Sequence, residues 1–206
     1  AELRRKLLAN GIRVGFVASE ERFRERLAKA TIEEDVVETF LSQASVASDV
    51  SRGKKQIPMR LGHRYELSLG QPISGSHVAM LRADGETIGR TLSNAQYYLA
   101  VTATQGSGVK QVDLRFRPEV QHGDARQKWV TSESAVRIDT RRDTWSIPEL
   151  DMNVTADEHD TLVIAAAAPA KGLAKHMLTG TDSNNDQEQV VVVVRVAKVP
   201  SAVDRL

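Results

Sequence analysis

The sequence predicts an α+β protein: an N-terminal helical segment followed by a mainly antiparallel β-sheet or β-sandwich body. Two stretches of the chain place their apolar residues on one side of an extended strand, namely Tyr97, Leu99, Val101 and Ala103, then Val112, Leu114 and Phe116. A side-chain period of two is typical of half-buried strands with one face in water. The first residues of the chain have apolar positions at helical spacing instead.

The N-terminal segment begins with a predicted helix over Glu2 to Ala9, and Asn10-Gly11 ends it because both residues tolerate a positive φ. Alternating residues from Ile12 to Phe16 predict a short strand. Ser19 is a suitable N-cap for a second, charged helix over Glu20 to Lys29.

A third helix is predicted after Thr31, since Thr31 and Glu34 have the spacing of a capping box. Its apolar stripe consists of Val36, Val37, Phe40 and Leu41. The sequence therefore divides into a helix-rich segment over residues 1–42, a linker over 43–56 and an antiparallel β-domain over 57–206.

Turn signals punctuate the predicted β-domain. Asp84-Gly85 is a hairpin signal, and a second turn is expected at Gln105 to Gly108. Pro118 is expected to end its strand or to confine that strand to an edge, because proline has no backbone N–H. Many short strands between such turns favour a sandwich or an antiparallel sheet over a parallel α/β fold.

Composition excludes several function classes. The 28 basic and 27 acidic residues are mixed along the chain and give a net charge of +1, whereas a nucleic-acid surface needs a concentrated basic face. The absence of cysteine excludes disulfides and thiolate chemistry. The longest apolar runs, Leu162–Ala168 and Val190–Val194, are shorter than the roughly 20 residues of a membrane helix. A first residue Ala1 rather than methionine fits a processed or trimmed N-terminus.

The sequence contains no recognisable catalytic motif. Its five histidines are scattered without a two-histidine ligand spacing, and no serine has the G-x-S-x-G context of a nucleophile elbow. We therefore expect a protein that is not an enzyme, with no cofactor and no metal.

Two features predict contact with other proteins. Trp129 and Trp145 lie among arginines and form either a binding rim or the cover of a sheet edge within the chain. The Val190–Val194 run is either a covered central strand or an edge that pairs with a neighbour. The predicted interface residues are Val36, Phe40, Trp129, Trp145, Val190, Val192 and Val194.

Two segments resemble the core of bacterial secretins, the ring-forming outer-membrane channels of secretion and pilus systems. Gln111 to Val120 resembles a secretin strand that ends in a Pro-x-Val turn, and Met152 to Ala166 resembles a later strand entered by a polar turn. Asn10 to Gly15 and Gln121 to Trp129 look like segments of uncharacterised planctomycete envelope proteins. The resemblance implies a secretin-like β-domain in the periplasm or outer membrane of a Gram-negative bacterium.

The expected function is that of a non-catalytic structural or interaction subunit of a bacterial envelope assembly, either a homo-oligomer or a larger complex. We expect the protein to multimerise through β-edges and helix docking. We expect it to bind no nucleic acid and to contact a membrane only through the assembly. The alternative is a carbohydrate-binding or hydrolytic domain with a cleft near Trp129, Trp145 and His122.

Overall fold

The computed structural model describes residues 2–30, 56–131, 136–181 and 187–199. Its helices are α1 (Glu2–Ala9), α2 (Glu20–Ala30) and α3 (Ala174–Met177). Its strands are β1 (Ile12–Phe16), β2 (Arg64–Ala83), β3 (Glu86–Gln105), β4 (Gln111–Thr131), β5 (Val136–Ser146), β6 (Met152–Asp157), β7 (Thr161–Ala166), β8 (Thr179–Thr181), β9 (Gln187–Gln189) and β10 (Val192–Arg195). A 3₁₀ turn, Pro148–Leu150, separates β5 from β6.

The predicted fold class is confirmed, because antiparallel strands dominate and only a few short helices accompany them. The largest sheet has the order β2-β3-β4-β5, and β6 also pairs with β4. A second sheet has the order β1-β7-β10, so the N-terminal segment contributes an edge strand to the β-body. Strands β8 and β9 form a separate pair.

The four long strands form two hairpins, β2–β3 and β4–β5. The hairpins share a base, where β3 pairs with β4. Strand β4 pairs with β3 as far as Gln121, opposite Gln96, and its second half pairs with β5 alone. The β2–β3 hairpin continues past this point to its tip at Asp84 and Gly85, which both have positive φ. The predicted hairpin turn is therefore confirmed.

Strand β4 runs through Pro118, so the proline does not end the strand. At this position β4 has a partner on one side only, because Pro118 lies opposite Leu99 of β3 while the pairing with β6 stops at Phe116 and the pairing with β5 starts at Glu119. Of the two predicted outcomes, the proline therefore takes the edge position, and it does so locally. The Pro118 carbonyl accepts a hydrogen bond from the Ile147 N–H at 3.1 Å. Ile147 lies between β5 and β6, where the 3₁₀ turn interrupts the second partner strand. In a strand, the N and the carbonyl of one residue point to the same side, so the missing N–H faces this interruption and no ladder bond is lost.

The core is formed by residues of the two larger sheets together with residues of α1 and α3. The alternating residues from the sequence point inward, and Tyr97, Leu99, Val101 and Phe116 are fully buried. They pack with Leu162 and Ile164 of β7 and with Met177 of α3, among others. The predicted one-sided burial of this layer is confirmed.

The outer face of β4 carries charges. Asp151 accepts hydrogen bonds from Arg117 Nε at 2.7 Å and from Arg115 Nη2 at 2.6 Å. Nearby, Glu119 accepts from Arg64 Nη2 at 2.5 Å and from Ser146 Oγ at 3.1 Å. These groups tie β2, β4 and the β5–β6 break together across the polar face.

Asn10 joins α1 to the free edge of β2. Its Nδ2 donates to the carbonyls of Lys6 at 2.9 Å and Arg82 at 2.8 Å, while the Arg82 N–H donates to its Oδ1 at 2.8 Å. The Asn10 carbonyl also accepts from the Ala174 N–H at the start of α3. Gly11 has a φ of +77°, as the predicted helix end requires.

The predicted first two helices and the first strand are present with nearly the predicted bounds. The third predicted helix, with Val36 and Phe40, lies outside the described residues.

Candidate functional site

The valine run ends in β10, an edge strand of the second sheet. Val192 lies opposite Ile164 and Val194 opposite Leu162, and both valine side chains are buried. Val190, just before the strand, is partly buried against the core, and its N–H donates to the Leu178 carbonyl at 2.9 Å. This face of the run belongs to the protein's own core.

The opposite face of the run is open. Val191 and Val193 retain 37% and 39% exposure, and Val193 lies opposite Val163 of β7. In the parts of the chain that the structure describes, β10 pairs with β7 along one edge and no strand pairs with the other. Within these parts of the chain the run is therefore an edge strand, which is one of the two arrangements expected from the sequence; pairing with a neighbour stays a prediction.

The two tryptophans lie on the β4–β5 hairpin at different distances from its base. Trp145 is opposite Val120 and packs against the core, whereas Trp129 is opposite Ile138 on the outer part of the hairpin. At a rise of about 3.3 Å per residue, the backbone at Trp129 lies roughly 30 Å along β4 from Val120. The structure does not bring the two tryptophans together at one site.

Trp145 and His122 do lie near each other at the point where the hairpins separate. The Arg90 guanidinium carbon is 5.2 Å from the Trp145 ring centroid, within cation–π range. Burial is the main cause that lowers the pKa of His122, and the Arg90 charge adds to it. The His122 Nε2 atom is buried without a hydrogen-bond partner.

A second cluster combines β2, β3 and α3. His77 Nε2 lies 2.9 Å from the Tyr97 hydroxyl, and the His77 and His176 rings are 5.0 Å apart between centroids. The Tyr97 and His176 rings are stacked, with centroids 6.0 Å apart. Sequence reasoning missed this cluster because the two histidines are far apart in the chain and only the fold brings them together.

Burial governs the ionisation of this cluster. It lowers the pKa of His77, and it is the main cause that lowers the pKa of His176, with the His77 and Lys175 charges adding to it. It raises the pKa of Tyr97 well above its usual value. The His77 Nδ1 atom is buried without a hydrogen-bond partner, so one ring nitrogen of this pair has its hydrogen-bonding capacity unused.

An open groove of about 510 Å³ separates α1 from β1 and β6. Its lining is mostly apolar and includes Leu3, Leu7, Leu8, Val14 and Val154, while Arg4 and Arg13 supply positive charge. Such a groove suits the apolar face of an amphipathic helix.

Among the described residues, no three His, Cys, Asp or Glu side chains are grouped to hold a metal ion. No helix in those residues is long and apolar enough to cross a membrane. No protein-family model, curated protein or solved structure matches this chain.

Proposed function

We propose that this protein is a non-catalytic structural or interaction subunit of a bacterial envelope assembly, either a homo-oligomer or a larger complex. The observation that carries the proposal is the open valine edge, the face and free edge of β10 bounded by Val191 and Val193. The resemblance of two segments to secretin strands supports an assembly in the periplasm or outer membrane.

An open strand edge is a template for pairing with another chain. Its free N–H and C=O groups provide main-chain hydrogen bonds, and alternate side chains provide the contacts that select the partner. Here those side chains are Val191 and Val193, which remain exposed while Val192 and Val194 hold the strand on the core. A partner strand would therefore bury apolar surface without disturbing the fold of this chain.

The groove beside α1 supports helix docking as the second contact. Residues 31–41 contain four acidic residues and no basic ones, with Val36 and Phe40 in their predicted apolar stripe. The groove offers apolar side chains for that stripe and the cations Arg4 and Arg13 for the acidic residues. Opposite charge on the two surfaces favours this contact and selects against like-charged partners.

Sedimentation equilibrium over a wide concentration range tests the edge. We expect wild-type protein to associate and Val193→Lys to remain monomeric, because a lysine on the open edge places a charge in the interface. Val78→Lys is the matched control: Val78 is 54% exposed, on the outer face of β2, and its substitution leaves association unchanged. A wild-type chain that stays monomeric at high concentration contradicts the proposal, as does equal association of the two variants.

A carbohydrate-binding or hydrolytic domain is the second candidate, because Trp145 and His122 lie side by side where the hairpins separate. Against it, Arg90 already occupies one face of the indole ring on which a sugar would stack. Trp129→Phe leaves Trp145 as the sole tryptophan reporter. A glycan that shifts its fluorescence supports the second candidate, and an unchanged spectrum across a glycan panel removes it.

A further inference from the structure

His77 and His176 approach each other from two different elements, the inner face of β2 and the short helix α3. Their ring centroids are 5.0 Å apart and their planes are tilted by 53°. The tilt excludes face-to-face stacking. Both rings are half-buried, so the pair keeps access to solvent on one side.

The separation is the one that two imidazoles take around a shared metal ion. With metal–nitrogen bonds of about 2.0–2.1 Å, the ring centroids lie about 4.5 Å apart for ligation at a right angle and about 5.2 Å apart for tetrahedral ligation. The observed 5.0 Å falls between these two values. The centroid separation of the two rings therefore matches the ligation of one ion by both imidazoles.

One ring nitrogen of His77 is held as it is in metal-ligating histidines. A ligating histidine donates its other N–H to a neighbouring oxygen, which fixes the tautomer and the ring orientation. His77 Nε2 contacts the Tyr97 hydroxyl at 2.9 Å. The remaining His77 nitrogen, Nδ1, is the buried atom without a partner.

We propose that His77 and His176 chelate one divalent transition-metal ion between β2 and α3. Imidazole nitrogen suits Cu²⁺, Zn²⁺ and Ni²⁺ rather than Mg²⁺ or Ca²⁺, and at such a site Cu²⁺ binds tightest of these ions. No further His, Cys, Asp or Glu joins the pair among the described residues, so these residues supply two imidazole ligands to the ion. The site is consequently of modest affinity and exchanges its ion readily.

Binding at this site would cross-link α3 to the β2–β3 hairpin. An ion that binds the folded chain and not the unfolded chain raises the unfolding temperature in a concentration-dependent manner. Ligation also requires both rings to be neutral, a state that the burial of the pair already favours.

Titration calorimetry with Cu²⁺, Ni²⁺ and Zn²⁺ salts in a non-coordinating buffer tests the site. We expect one Cu²⁺ per wild-type chain, and no binding at the same concentration to His77→Gln or His176→Gln. The matched control is His63→Gln, since His63 is an exposed histidine in the segment before β2. Tyr97→Phe keeps both imidazoles but removes the hydroxyl behind His77, and we expect binding weakened by about tenfold or more.

Electron paramagnetic resonance of the Cu²⁺-loaded wild-type chain identifies the donors independently of any variant. Hyperfine splitting from two imidazole nitrogens supports the proposal, and a spectrum without them overturns it. Equal Cu²⁺ binding by the wild type and His176→Gln also overturns it, as does loss of binding in His63→Gln. Circular dichroism without metal verifies that each variant is folded; if His77→Gln does not fold, the spectrum of the wild type decides.

Discussion

Two strand edges of this protein differ in a way that bears on its function. The outer edge of β2, away from β3, is closed near its end by a side chain, because Asn10 binds both backbone groups of Arg82. The edge of β10 has no such cover in the described chain. An edge that is closed by the chain's own side chains is unavailable for pairing, whereas the edge of β10 is open in the described chain, as the proposed function requires.

The largest expected effect comes from opening the closed edge. Asn10→Ala removes both hydrogen bonds to Arg82 and the one to Lys6 at a fully buried position. Because backbone groups are left without partners, we expect the free energy of unfolding to fall by about 2–4 kcal/mol. Urea denaturation measures it, with the exposed Asn153→Ala as the matched control. An Asn10→Ala chain as stable as the control would show that Asn10 does not hold this edge closed.

A second variant tests the close approach of the backbone at Gly11 to the backbone at Lys171. A Cβ on Gly11 would collide with the Lys171 carbonyl oxygen, and its φ of +77° is strained for any other residue. We expect Gly11→Ala to lower the unfolding free energy by about 1–3 kcal/mol. Gly15→Ala is the control, since a Cβ there meets nothing within 4 Å. Equal unfolding midpoints for the two variants would contradict a close crossing at Gly11.

The ion pairs of Asp151 with Arg115 and Arg117 are expected to make a smaller contribution to the free energy of unfolding, and one that depends on pH. Burial alone would raise the pKa of Asp151, but the hydrogen bonds from Arg117 and Arg115 outweigh it and hold the pKa below its usual value. A lowered folded-state pKa stabilises the fold above the unfolded-state pKa, and this stability is lost as the pH falls through the folded-state pKa.

Asp151→Asn should therefore cost about 1–2 kcal/mol at neutral pH and progressively less in acid. Urea midpoints from neutral pH down to about pH 2, below the usual pKa range of the group, follow this difference. If the loss of unfolding free energy in Asp151→Asn is the same at every pH, the charge of Asp151 does not stabilise the segment between β5 and β6.

The smallest expected effect on the free energy of unfolding comes from substituting two exposed valines, one on β10 and one on β2. Val193→Lys and Val78→Lys each replace a side chain that retains at least 39% exposure. We expect each to change the unfolding free energy by less than about 0.5 kcal/mol. If the urea midpoint of Val193→Lys drops clearly below that of Val78→Lys, a loss of association in that variant reflects unfolding and not a blocked edge.

Local patterns predicted the parts of this fold that local chemistry decides. The alternation from Tyr97 to Ala103 predicted which face is buried, and Asn10-Gly11 predicted where α1 ends. Asp84-Gly85 predicted the hairpin tip because its residues adopt the positive φ that such turns require.

Features that depend on distant pairing were not predictable in the same way. The valine run looks alike whether it is central or at an edge, and only its pairing with β7 decides. Trp129 and Trp145 are near in sequence, yet an antiparallel register places them far apart on one hairpin. The contact of His77 with His176 needs β2 and α3 to meet, which no spacing in the chain reveals.

Pro118 carries a consequence for the alignment of β4. Its nitrogen has no hydrogen to donate and faces the gap between β5 and β6, where no partner strand requires a donor. Slippage of β4 by two residues would move this nitrogen beside an intact ladder and would pull a competent donor into the gap. The proline thus disfavours misaligned pairings of β4 with its neighbours.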